Sequence, residues 1–133
     1  MIRRAIVLSQ QLQEVIARTD AEFNKLPIFV RPMARGGFKN KSGQSIQDWA
    51  RTASKLTEQL KKVEAADAVT EQQVRADCGR RKELLGKLIV YWQEVPGETA
   101  RFTKDANLLR DVTQQMAERE TVARSLIAAL EAL

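Results

Sequence analysis

The chain of 133 residues contains no histidine, which removes the commonest general base, the Ser/His and Cys/His nucleophile pairs and most zinc sites in one step. Its one cysteine cannot close an internal disulfide, so a reducing compartment is the default. A phosphate-binding P-loop, a paired-cysteine motif and a nucleophile elbow are missing too. The acids lie four or seven residues from bases, as they do on solvated helical faces. The reading is of a protein that is not an enzyme and needs no metal or cofactor. Long apolar runs are equally scarce. After Arg3 and Arg4 the run of residues 5–8 stops at Ser9, Gln10 and Gln11, too short for an export signal or a membrane span. A cytoplasmic protein without membrane contact is expected.

What the sequence does contain is helical periodicity. Hydrophobic residues make up 44% and charged ones 29%, a balance that suits one folded domain over residues 1–133 rather than a disordered chain. In the first segment Leu8, Leu12, Val15, Thr19, Phe23 and Leu26 recur in steps of three and four, with Ile16 widening the stripe, until Pro27 and Pro32 stop it. Ser45 begins a second helix, with Asp48 three residues on completing a weak capping box. From it Ile46, Trp49, Ala53, Leu56, Leu60 and Val63 form the cleanest seam in the chain. Residues 65–69 read as a turn, and Thr70 with Gln73 repeats the start signature.

The third helix carries Val74, Cys78, Leu85, Leu88, Trp92 and Val95, with Arg81 where a hydrophobe is due. Gly79 and Gly86 share a face and either weaken this helix or let a neighbour approach. Residues 84–92 hold more apolar side chains than one stripe needs, so they are sandwiched between helices or cover a partner, and Pro96 with Gly97 closes the segment. Trp49, Trp92 and Cys78 on these seams read as core. A last helix carries Phe102, Leu109, Val112, Met116, Leu126, Leu130 and Leu133. The expected architecture is all-α: an antiparallel bundle of about four helices with a long basic connector, residues 27–44, between the first two.

Charge is distributed unevenly along this pattern. Residues 23–47 hold five basic groups and no acid, so the whole net charge of +5 belongs to that stretch, and the rest of the chain is balanced. Gly36 and Gly37 offer it positive φ. One reading is a solvated loop. The other is a polyanion dock in which Arg31, Arg35, Lys39 and Lys41 neutralise phosphates while Phe38, set between glycine and lysine, stacks on an unpaired base. No recognition-helix pattern is present, which points to single-stranded or branched DNA rather than base readout. The basic group Arg75, Arg80, Arg81, Lys82 and Lys87 is interleaved with Asp77 and Glu83 and reads as a solvated face.

Phe38, the run through Leu56 and Leu60 to Val63 and Glu64, then Trp92, and the stretch Met116, Ala117, Glu118, Arg119 and Glu120 resemble the primosomal replication restart protein PriC family. The resemblance implies an accessory protein that binds forked DNA, engages the acidic tail of single-stranded DNA-binding protein and promotes reloading of the replicative helicase. It places the tail site on the basic final helices, at Arg101, Phe102, Arg110 and Arg119. The competing class is a helical protein–protein adaptor or chaperone without nucleic-acid binding, supported by the apolar surplus of residues 84–92 and the second-helix seam. A monomer and a homodimer are both compatible with the sequence.

Overall fold

In the computed structural model, which describes all 133 residues, five helices follow one another: α1 (Ile2–Asn24), α2 (Arg31–Ser42), α3 (Ile46–Glu64), α4 (Ala68–Ala100) and α5 (Ala106–Glu131). No strand is present, and no helix is long and apolar enough to cross a membrane. The count of about four helices is corrected to five because the expected connector folds as α2.

The three-four stripe of α1 buries Leu8, Leu12, Val15, Ile16 and Phe23. Ser9 and Thr19 on the same face bond their hydroxyls back to the carbonyls of Ile6 and Val15, both at 2.8 Å, which satisfies them inside the core. α3 starts where Ser45 Oγ accepts the Asp48 amide at 3.1 Å. Its seam buries Ile46, Trp49, Ala53, Leu56 and Leu60. This seam packs on α1 in the opposite direction. Arg3 meets Glu64 at one end, Ser9 accepts from the Thr57 hydroxyl at 2.8 Å midway, and Asp20 faces Ile46 across a groove at the other end.

α4 begins earlier than its sequence signature suggested. Asp67, not Thr70, is the cap; it accepts the Thr70 amide at 3.0 Å, and that bond holds its carboxyl below the usual range. Ala66 turns the chain with φ 65°, and no glycine is used there. Most of the surplus of residues 84–92 is absorbed within the molecule: Leu85, Leu88, Ile89 and Trp92 are buried, Leu84 and Tyr91 half-buried, and Val90 is exposed. Space is open around Gly79 and Gly86, so neither admits a close neighbour. Pro96 and Gly97 do not close the helix, which continues to Ala100. Val95 packs against the core just before the proline and the Thr99 hydroxyl donates to the Val95 carbonyl at 2.9 Å after it, which offsets the amide that Pro96 lacks. The exception on the seam, Arg81, is buried; Gln59 Oε1 accepts from its Nη2, Asp77 lies 3.9 Å away, and burial lowers its pKa.

α5 runs back along α4 and α1, burying Met116, Ala123, Leu126, Ala129 and Leu130. Its start corrects the expected last helix. Asp105 caps it by accepting the amides of Asn107 and Leu108, which leaves Phe102 in the linker before it.

α2 is held less by its own sequence than by what it touches. Pro32 sits in the first turn, where a missing amide costs little. Gly36 and Gly37 are ordinary helical residues, and the positive φ expected of them falls to Gly43 at 86°, which ends the helix. Phe38 inserts into the core, fully buried, with ring contacts to Phe23 at 5.8 Å and Tyr91 at 4.8 Å in edge-to-face geometry. Ser42 Oγ accepts from the indole of Trp49, tying the end of α2 to α3.

Candidate functional site

Each residue of the expected dock now has a location, and the five do not form one exposed loop. Phe38 has no surface left for a base, because the helix turns it inward against Phe23 and Tyr91. Arg35 donates to Asp20 at 2.8 Å and to Asn24 at 2.7 Å, and its guanidinium lies 5.5 Å from the ring centre of Phe23. Lys41 bridges Glu94 at 2.6 Å and Glu98 at 3.8 Å, and the hydrogen bond to Glu94 raises its pKa. Acids from α1 and α4 thus neutralise two of the four cations. Lys39 is exposed and makes no ion pair, while Arg31 donates its Nε to the Leu26 carbonyl at 2.8 Å and has no carboxylate partner.

The residues expected to hold an acidic tail separate in a similar way. Arg101 pairs with Glu98 at 3.6 Å, and Arg110 is exposed and unpaired. Arg119 is 3% exposed and grips Glu22 with two bonds of 2.7 and 2.8 Å, adding 3.2 Å to Thr19 Oγ1. Its Nε is buried without a partner. This fork lies in the wall of an open groove of about 430 Å³ between α1, α4 and α5. The apolar lining comes from Phe23, Leu26, Tyr91, Val95, Val112 and Met116. Tyr91 is desolvated there, which pushes its hydroxyl up to about 12.

The mouth of this groove is where α1 ends, α4 ends and α5 begins. Two prolines, Pro27 and Pro32, bracket a turn in which the amides of Val30 and Arg31 both bond the Pro27 carbonyl. The turn has no helix face on which to bury its side chains, so Ile28 and Phe29 point to solvent, as does Met33 in the first turn of α2. Phe102 in the α4–α5 linker and Leu108 in the first turn of α5 add to the same end. Lys25, Arg31, Lys104 and Arg110 lie on the same connections and helix ends in sequence, and none forms an ion pair; of the acids on these segments, Glu98 is paired with Arg101 and Lys41, Asp105 is committed to its cap and Asp111 is free. Sequence reasoning missed this patch. The signal was present in the apolar triplet Ile28, Phe29 and Val30 held between two helix breakers.

Compared with protein-family models, with curated proteins and with solved structures, the chain matches none.

Proposed function

We propose that this protein is a non-enzymatic accessory factor of replication restart that binds single-stranded or branched DNA and the acidic tail of single-stranded DNA-binding protein, and so promotes reloading of the replicative helicase. The observation that carries the reading is the groove between α1, α4 and α5, apolar inside and bordered at its mouth by unpaired cations. A peptide that is acidic along its length and apolar at its end has the complementary chemistry. Its terminal side chain would occupy the space between Leu26, Val95 and Val112, and its carboxylates would meet Lys104 and Arg110. Arg119 belongs to this site as part of the wall; Glu22 already satisfies its charge, so it shapes the groove instead of capturing a carboxylate.

For DNA, Lys25, Arg31, Lys39, Lys104 and Arg110, five of the cations without an ion pair, are better candidates for phosphate contact than Arg35 and Lys41. Reversing Arg35 and Lys41 would set new carboxylates against Asp20, Glu94 and Glu98 and loosen α2, so that change does not isolate DNA binding. The adaptor reading loses most of the two apolar surfaces it rested on, since the α3 seam and the apolar residues of 84–92 other than Val90 pack within the chain; what favours it is the exposed apolar end.

The test is anisotropy of a fluorescein-labelled acidic peptide ending in phenylalanine, titrated with the wild type and with Val112→Glu. The reading expects saturable binding by the wild type and loss of it in the variant, with circular dichroism unchanged. Equal titration of both proteins, or none by the wild type, removes the tail site.

A further inference from the structure

We infer that the end of the molecule carrying Phe29 and Phe102 is a stacking platform for the bases of single-stranded DNA, an assignment that rests on the DNA-binding reading above and gives it a location. The four phenylalanines divide sharply. Phe23 and Phe38 are buried in the core, whereas Phe29 is 84% and Phe102 87% exposed, more than any other large apolar side chain. Hydrophobic burial therefore gives no account of why rings stand at these two positions.

Their placement does. Leu26 and Thr99 line the same groove, and each phenylalanine follows one of them by three residues, so the rings flank one groove mouth from two separate connections. On the same connections and helix ends stand Lys25, Arg31, Lys104 and Arg110, all without carboxylate partners. The bond from Arg31 Nε to the Leu26 carbonyl fixes that guanidinium beside the Phe29 turn and leaves its outer nitrogens free. Phe102 sits between Arg101 and Thr103 in the chain, so its immediate sequence neighbours are polar. Rings spaced among unpaired cations match a ligand that alternates flat apolar faces with negative charge, which is a single strand of nucleic acid. Stacking of this kind tolerates any base, consistent with the lack of a recognition helix. The part first expected of Phe38 falls to Phe29 and Phe102.

The experiment uses the full chain and a fluorescein-labelled oligothymidylate, read by anisotropy over a salt series. Phe29→Leu with Phe102→Leu keeps apolar bulk but removes both π-faces, and Phe29→Tyr with Phe102→Tyr keeps them. The leucine variant is expected to bind about tenfold more weakly or worse at every salt concentration, and the tyrosine variant within about twofold of wild type. The dependence on salt should stay the same in both, because phosphate contacts remain. Equal urea midpoints would show that neither pair disturbs the fold. Should wild type and leucine variant bind the oligonucleotide alike, the platform is refuted while the DNA reading stands. Should the wild type bind no oligonucleotide at all, both fall. Capture of the wild type by phosphatidylserine vesicles without oligonucleotide binding would make this end a bilayer contact and overturn the assignment.

Discussion

At the scale of single residues, the account turns on which side chains are satisfied within the chain and which are not. Phe38 is the clearest case. Its neighbours in sequence, Gly37 and Lys39, suggest an exposed ring, yet it is fully buried between Phe23 and Tyr91. Phe38→Ala should therefore act on stability, lowering the unfolding free energy by about 3–5 kcal/mol. Urea denaturation followed by circular dichroism measures this. A loss of oligonucleotide binding with an unchanged midpoint would return Phe38 to the role of a stacking residue. Arg35 and Lys41 show the same logic for charge: both are basic residues in an acid-free stretch, and both are answered by carboxylates from other helices. Phe29, Phe102, Arg110 and Lys104 are among the residues left without internal partners, and function is assigned to them because they also share one end of the molecule.

Among the elements, α2 carries the largest difference between sequence and structure. Two prolines and three glycines in and around its twelve residues favour a loop by local propensity. What holds the helix is tertiary: the Phe38 insertion, the Asp20 and Glu94 ion pairs and the Trp49 bond to Ser42. Since an added Cβ meets nothing within 4 Å at Gly36 or Gly37, Gly36→Ala and Gly37→Ala should each stabilise the protein by about 0.5–1 kcal/mol. A lower urea midpoint in either variant would contradict a helical α2. The seams of α1 and α3 were legible in the sequence because every apolar position finds a partner where its period places it. The start of α4 and the passage through Pro96 were not, because Asp67 and Thr70 are equally good caps on paper and the core against which Val95 packs before the proline is built from distant residues. The candidate site was legible only in outline. Its cations can be counted in sequence, but the acids that silence Arg35, Lys41 and Arg119 come from positions 20, 94 and 22, and only the fold brings them together.

For the molecule as a whole, unpaired cations occur along several helices, and what sets one end apart is that some of them, Lys25, Arg31, Lys104 and Arg110, share it with the two exposed phenylalanines beside the groove that Arg119 walls. The net charge of +5 is thus not a property of a loose connector. Of the five cations in the stretch that carries it, Arg35 and Lys41 are paired and brace α2, while Lys25, Arg31 and Lys39 have no carboxylate partner. That division is what makes a polyanion partner physically reasonable, because external phosphates compete poorly for charges already paired and well for those that are not. The claim is tested most directly by the affinity of the wild-type protein for a short labelled single strand across a salt series. The account predicts binding at low salt that weakens linearly on logarithmic axes, with the slope reduced by about one for each of Lys25, Arg31, Lys104 and Arg110 changed to glutamine. Absence of binding at low salt, or a slope indifferent to those four residues, would contradict it.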